Sequence, residues 1–176
     1  MNTHDIMKRA ARLCGLTLAT LAACAALRSA SVQLHSSGNQ ILDTSNLPVR
    51  LTGVTVPSLY WAPGEDITGS VTQALSVWKA NVVRLALIQA SWAEGNSYAA
   101  TDDAVVNQVS AAGAYVILDN HGFGQPTATT TAFWTALANH ALYKNNPAVL
   151  FGLFNEPHGT TWTVWKDGDA NGPGLQ

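Results

Sequence analysis

The sequence is poor in charge and in cysteine, and it contains no long apolar run. Charged residues make up 11% of its 176 residues, and no run of Lys or Arg follows the N-terminal segment, which excludes the basic surface of a nucleic-acid-binding protein. The two cysteines, Cys14 and Cys24, are too few and too N-terminal for a disulfide framework or a cysteine zinc site. No apolar stretch reaches the roughly 18 residues of a membrane span. The remaining composition, 47% hydrophobic with six tryptophans, is that of a globular domain.

The first 30 residues have the layout of an export signal. Three basic residues between positions 8 and 12 precede an apolar segment at 13–23, and small residues near position 30 offer a cleavage site. This predicts a secreted domain over residues 31–176. The segment Leu-Ala-Ala-Cys that ends at Cys24 also resembles the lipobox of bacterial lipoproteins, in which the cysteine is lipidated. Plain secretion and a lipid anchor at Cys24 are therefore both open.

Beyond the predicted signal, strand patterns and helix patterns alternate. The strand patterns lie at 51–56, 82–87, 115–118 and 149–154, and the helix patterns lie at 67–79, 104–112 and 131–143. A Gly-Asn turn between residues 32–34 and 40–42 predicts a small β-hairpin before the first strand. Two aspartates, Asp102 and Asp103, are expected at a helix N-terminus, and residues 167–176 have the composition of a loop. The alternating order predicts a parallel α/β fold.

Polar side chains collect where the predicted strands end. Arg84 lies inside the second strand, His121 follows the third, and Asn155 and Glu156 follow the fourth. Parallel strands present their C-terminal ends on one side, where α/β folds bind ligands. Glu156 is therefore expected at a partly buried rim, where it can act as a general acid. An ion pair between Glu156 and Arg84 is the alternative interpretation.

The same segments carry a family resemblance. Asn155-Glu156-Pro157-His158 resembles the Asn-Glu-Pro signature of clan A glycoside hydrolases, and most closely that of glycoside hydrolase family 5, the cellulase family. Three further segments resemble the family's first three strands in the correct order: Leu51-Thr-Gly-Val-Thr, Asn81-Val-Val-Arg-Leu and Val116-Ile-Leu-Asp-Asn-His. The resemblance implies a (β/α)8 TIM barrel of which about the first four β/α units are present, preceded by the hairpin.

The resemblance also implies roles for four residues. Glu156 would be the general acid/base that protonates the glycosidic oxygen and later activates water. Asn155 would hydrogen-bond the 2-hydroxyl of the sugar at the cleavage point, and His121 would contact the same sugar. Arg84 would lie beside the nucleophilic carboxylate and keep it ionised.

Three further side chains are candidates for contacts with the substrate. Trp61 and Trp92 would stack on sugar rings, with packing at the barrel rim as an equally open alternative for both. His158 directly follows the Asn-Glu-Pro motif, where a structural hydrogen bond is the other reading. No cofactor and no metal site are expected, since the family's chemistry uses carboxylates and His121 and His158 lack the helical spacing of a ligand pair.

One element of the family's site has no match in the sequence. Retaining glycosidases use two carboxylates about 5–5.5 Å apart, and the family's nucleophile follows the seventh barrel strand. The other glutamates, Glu65 and Glu94, occupy no matching position. The expected function is that of a retaining β-glycan hydrolase of cellulase type, from a truncated or incomplete copy. The alternatives are a non-catalytic remnant that binds carbohydrate weakly and a half-barrel complemented in trans, with self-association through exposed strand edges.

Overall fold

A computed structural model of the chain describes residues 30–61, 65–170 and 172–175. The predicted export signal, including the apolar segment and Cys24, lies outside the described residues apart from its last position. Within those residues, no helix is long and apolar enough to cross a membrane. The elements in chain order are β1 (His35–Ser37), β2 (Gln40–Leu42), β3 (Gly53–Val56), α1 (Ser58–Trp61), α2 (Ile67–Ser76), β4 (Val82–Leu87), α3 (Ser97–Ala111), β5 (Tyr115–Asn120), α4 (Ala128–Asn139), β6 (Val149–Gly152), α5 (Trp162–Asp167), β7 (Gly168–Asp169) and β8 (Gly172–Pro173).

A four-stranded parallel sheet with strand order β3-β4-β5-β6 forms the centre of the fold. Each neighbouring pair is joined by a helical crossover, so the strand order in space follows the order in the chain. The inner strands β4 and β5 are nearly continuous apolar runs, as parallel strands buried on both faces require. This arrangement is half of a (β/α)8 barrel and confirms the predicted fold class.

The register separates the sheet residues into two faces. Val83 pairs with Val116 and Leu85 with Leu118, and all four are fully buried under the helices. On the opposite face, which is the barrel interior, Arg84, Ile117 and Leu150 are in register and only half-buried. Within the described part of the chain, β3 and β6 form the two edges of this sheet.

Helix α3 begins earlier than the sequence pattern predicts. The helix starts at Ser97 because the side chain of Asn96 accepts a hydrogen bond from the N–H of Ala99 at 2.8 Å, which caps the first turn. The expectation that Asp102 and Asp103 lie at a helix N-terminus is therefore wrong. Asp102 lies in the middle of α3 and is fully buried.

The predicted hairpin and the C-terminal segment also differ in detail. The first hairpin strand lies at His35–Ser37 rather than 32–34. The reason is that Gly38, which has a left-handed backbone (φ 58°), and Asn39 form a two-residue turn between directly paired strands. The segment expected to be a loop after residue 167 is instead a short hairpin, β7–β8, that follows α5. Thr161 caps α5 by accepting from the N–H of Val164 at 3.2 Å.

Candidate active site

Side chains from β4, from β5 and from the segment after β6 meet at one guanidinium nitrogen. Arg84 lies in β4, and its Nη2 donates to Asn155 Oδ1 at 2.6 Å in the segment after β6. The same Nη2 lies 2.7 Å from Oδ2 of Asp119, near the end of β5. The C-terminal end of the parallel sheet thus gathers a cation, a carboxylate and an amide into one connected group. We call this end of the sheet the rim.

Asp119 also binds His121. Its Oδ2 lies 2.8 Å from Nδ1 of His121, and only 3% of Asp119 is exposed to solvent. Sequence reasoning assigned no role to this aspartate. The signal was available, however, because a carboxylate within an otherwise apolar parallel strand must find a partner on the face it shares with Arg84.

Backbone hydrogen bonds hold Glu156 beside the loop that follows β5. Its N–H donates to the carbonyl of Gly122 at 3.1 Å, and its carbonyl accepts from the N–H of Gly124 at 3.0 Å. Asn155 is held in the same way, through its N–H and the carbonyl of Asn120 at 2.9 Å. The β5–β6 pairing therefore resumes past the strand ends and fixes the two residues of the motif at the rim.

The side chain of Glu156 is exposed, not partly buried as expected. The reason is that Glu156 follows β6, which is an edge strand in the described part of the chain, and no described neighbouring strand covers its outer side. The alternative of an ion pair with Arg84 is not found, because the described ion pair of Arg84 is with Asp119. Glu156 therefore faces open space at the rim.

Three aromatic rings form a cluster next to the motif. The ring of Tyr60 lies 4.9 Å from that of His121 and 6.0 Å from that of Phe123, and His121 and Phe123 are 5.7 Å apart. Phe123 is 44% exposed and forms an isolated β-bridge with Glu156. A partly exposed aromatic residue thus pairs through its backbone with Glu156, a feature that the sequence pattern did not single out.

The three predicted substrate contacts have different outcomes. Trp92 is 7% exposed and packs edge-on against Phe133 and His140, so it belongs to the core and presents no ring face to a sugar. This corrects its assignment as a stacking residue in favour of packing. The side chain of Trp61 lies outside the described residues. His158 is exposed, and its N–H donates to the carbonyl of Gly124 at 3.3 Å.

A second polar cluster lies away from the rim, around Asp102 in α3. Burial raises the pKa of Asp102 to about 8, and the neighbouring charge of Asp103 adds to the effect. The hydroxyl of Tyr143 donates to Asp103 Oδ1 at 2.7 Å, and burial raises the pKa of Tyr143 above its ordinary value. Among the described residues, no group of three or more His, Cys, Asp or Glu side chains is arranged to hold a metal ion.

A half-barrel of parallel strands with Asn-Glu at the end of its fourth strand is the arrangement of a barrel-type glycoside hydrolase. Residues 42–171 match the family described as Cellulase (glycosyl hydrolase family 5). The match covers well over half of the chain, and the chain therefore belongs to this family.

Curated relatives are endoglucanases that are longer than this chain. Endoglucanase MaCel5A of Microbulbifer sp. (strain ALW1) is 31% identical in an alignment of 140 positions that covers 74% of this chain and 27% of that protein. Endoglucanase 1 of Saitozyma flava is 30% identical in an alignment of 176 positions that covers 84% of this chain and 50% of that protein. The chain thus spans between about a quarter and a half of the length of these relatives.

Solved structures have the same fold, and this chain covers about half of each of the two described here. The β-glucanase SdGluc5_26A from Saccharophagus degradans, in complex with cellotetraose, superposes with a TM-score of 0.62 at 22% identity, covering 78% of this chain and 48% of that one. The catalytic domain of Thermobifida fusca endoglucanase Cel5A, also with cellotetraose, gives a TM-score of 0.61 at 22% identity, covering 76% and 46%. The sheet described above corresponds to about half of these enzymes.

Proposed function

We propose that this chain supplies the acid/base half of the active site of a retaining β-glycan hydrolase, with Glu156 as the general acid/base. The observation that carries the proposal is the position of Glu156. It is exposed at the rim, anchored by two backbone hydrogen bonds, and adjacent to an amide that is bound to Arg84. Membership of the cellulase family and the endoglucanase relatives support the same reaction class.

In this mechanism, the protonated carboxyl of Glu156 donates its proton to the glycosidic oxygen as the bond to the leaving sugar breaks. The resulting carboxylate then takes a proton from the water that releases the second product. An exposed side chain on an anchored backbone suits this role, since it can reach a substrate laid across the rim. General acid–base catalysis of this kind contributes about 10²- to 10⁴-fold to a rate.

The neighbouring side chains are oriented to bind sugar hydroxyls. Oδ1 of Asn155 is occupied by Arg84, so its amide N–H groups remain to donate to the 2-hydroxyl of the sugar. Nδ1 of His121 is directed to Asp119, which leaves Nε2 for a hydroxyl group. Phe123 offers an exposed ring beside Glu156 against which the apolar face of a sugar can pack.

A retaining mechanism also needs a nucleophilic carboxylate about 5–5.5 Å from the acid/base. The sequence has two other glutamates, Glu65 before α2 and Glu94 between β4 and α3, and neither follows a strand as the family's nucleophile does. We assign the nucleophile to polypeptide that is not in this sequence, either continuous with it or added in trans. In the assembled site, Arg84 would keep its present contacts with Asn155 and Asp119 at the rim.

The substrate class and the location follow from weaker observations. Two solved relatives hold cellotetraose, and we propose a β-linked glucan or a related polysaccharide as the substrate. The charge order and apolar segment before residue 30 support export, with a lipid anchor at Cys24 as the alternative form. The two sheet edges formed by β3 and β6 support self-association of the isolated chain.

The proposal is tested by assaying the full chain on carboxymethyl cellulose and cellotetraose, alone and mixed with a C-terminal half-barrel from a related family 5 enzyme. We expect no turnover by the chain alone, turnover in the mixture, and loss of that turnover in E156Q. Cellotetraose binding without turnover in any mixture would instead support the non-catalytic carbohydrate-binding alternative. Turnover that persists in E156Q would overturn the assignment of Glu156.

A further inference from the structure

One carboxylate contacts both His121, which the proposed function places on the sugar, and Arg84, which binds the amide of Asn155. We propose that Asp119 is a positioning residue of this site. It fixes the guanidinium of Arg84 against Asn155, and it fixes both the ring and the tautomer of His121. The role of Asp119 in substrate binding rests on the proposed function. The contacts that Asp119 makes, and the measurement that tests them, do not depend on turnover.

Arg84 is held at a single atom. Its Nη2 is shared between Asp119 Oδ2 at 2.7 Å and Asn155 Oδ1 at 2.6 Å. The contact with the carboxylate is a charge-assisted hydrogen bond, which is about twice as strong as a neutral one. Asp119 therefore sets the position from which Arg84 orients the amide of Asn155, and through it the N–H groups that face the substrate.

His121 is held at the same oxygen atom. Its Nδ1 lies 2.8 Å from Asp119 Oδ2, an oxygen that already accepts from Arg84 and so can only accept from His121 as well. Nδ1 must therefore carry the hydrogen, which leaves Nε2 of the neutral ring as an acceptor. The rings of Tyr60 and Phe123 pack against His121 and hold its plane. An acceptor at Nε2 takes a hydrogen bond from a sugar hydroxyl.

The neighbouring strands leave room for this carboxylate. Asp119 is in register with Ala86 on β4 and with Gly152 on β6, so both residues beside it on its face of the sheet are small. A Cβ atom at Gly152 would lie 2.8 Å from Asp119 Oδ1 and 3.2 Å from its Cβ. The aspartate side chain therefore packs closely against the backbone of Gly152, where a side chain of any size would press on it.

Stability alone is a poor explanation for a buried carboxylate at this position. Replacing a buried ion pair by well-packed apolar residues is often neutral or stabilising, because the cost of desolvating both charges offsets their attraction. The contacts of Asp119 go to His121, which the proposed function directs at the substrate, and to Arg84, which holds the amide of Asn155. We therefore attribute the buried carboxylate to its effect on the positions of Arg84 and His121, and not to the stability of the fold.

The test is the tautomer of His121, measured by long-range ¹H–¹⁵N correlation spectra of the full chain with ¹⁵N-labelled histidine and assigned with H121Q. We expect the Nδ1-protonated form in the wild type. In D119A, we expect the tautomer ratio to shift about tenfold or more towards the Nε2-protonated form, as the loss of a hydrogen bond to a charged group predicts. D102N is the matched control, since Asp102 is an equally buried aspartate that lies in α3 rather than in the sheet, and its spectrum should show His121 unchanged.

An Nε2-protonated His121 in the wild type, or an unchanged tautomer ratio in a folded D119A chain, would overturn the proposal. If D119A does not fold, the isosteric D119N replaces it. That variant replaces a charged acceptor by a neutral one, whose hydrogen bond is about half as strong, so the ratio should shift in the same direction by a smaller factor, and an unchanged ratio again overturns the proposal. Failure of the hydrolase assays with an Nδ1-protonated His121 would refute the proposed function and leave the positioning role standing.

Discussion

Arg84 Nη2 and Asn155 Oδ1 lie 2.6 Å apart, although 71 positions separate the two residues in the sequence. The contact crosses β5 and joins β4 to the segment that follows β6. It fixes which end of the Asn155 amide faces the guanidinium, and so which end is left for a ligand. The orientation of the family's motif is therefore set by a strand two positions away in the sheet.

Exchanging the amide of Asn155 for a carboxylate separates its two roles, which are accepting from Arg84 and donating to the substrate. In N155D, an oxygen can still accept from Arg84, but no N–H group remains for the substrate. We expect the chain to stay folded with the Arg84 contact kept and cellotetraose binding to weaken about fivefold, as for one lost hydrogen bond. Urea unfolding and NMR titration with cellotetraose measure the two effects. A large loss of stability with unchanged binding would contradict this division.

The exposed ring of Phe123 is expected to contact the sugar. We predict that F123A weakens cellotetraose binding by about 1 kcal/mol, the scale of an aromatic contact beyond its area. F151A is the matched control, because Phe151 is 40% exposed but lies on the helix side of the sheet against Trp134. Equal losses in the two variants, measured by the same titration, would show that Phe123 has no specific role.

Asp102 makes the stability of the chain depend on pH. The folded state raises the pKa of Asp102 to about 8 from 3.8, so it keeps a proton that the unfolded state releases between these values. Stability must therefore fall as pH rises through this window and level off above about pH 8, with a slope of up to about 1.4 kcal/mol per pH unit. In D102N, we expect this slope to disappear.

Urea unfolding from pH 5 to 8 measures the effect of Asp102. The titratable groups around Asp102 also include Asp103, Tyr98 and Tyr143. A substitution at Asp102 alone therefore tests how much of the pH dependence of stability Asp102 causes. D167N is the control, since Asp167 is an exposed aspartate whose described partner is Lys166. Parallel pH profiles for the wild type and D102N would show that Asp102 does not carry the dependence.

The outer side of β6, with which no described strand pairs, is expected to promote association. Phe151 and Leu153 are exposed on or just after this edge strand, and an unpaired strand with apolar side chains is a template for pairing. We predict that the isolated chain sediments as oligomers or aggregates at micromolar concentration. L153K should increase the monomer fraction, because a charge on an edge opposes pairing. A monodisperse wild-type monomer would contradict the expectation.

The sequence contained most of the fold because its signals are local and strong. The limits of β4 are recovered from the pattern Val82–Leu87, and the four strands appear in the predicted order. The start of α3 was missed because its first turns, Ser97-Tyr-Ala-Ala, carry no clear apolar period and the cap is a single Asn96 side chain. Local pattern therefore predicts which elements exist better than where they begin.

The candidate site was only partly predictable. A motif after a strand places Asn155 and Glu156 at the correct end of the sheet, since all parallel strands end there. The link through Asp119 could not be read directly, because it depends on the register between β4, β5 and β6. Trp92 illustrates the opposite error, since its contacts with Phe133 and His140 arise from tertiary packing and not from local sequence.

The central claim is that this chain carries the acid/base half of a retaining glycosidase site. The most direct measurement is the rate of cellotetraose hydrolysis after adding a C-terminal half-barrel of a related family 5 enzyme to the wild type and to E156Q. Because the Glu156 side chain is exposed and its backbone is anchored by Gly122 and Gly124, E156Q should assemble and unfold like the wild type. We predict turnover with the wild type and a rate about 10²- to 10⁴-fold lower with E156Q. Equal rates for the two chains, in complexes shown to have formed equally, would contradict the claim.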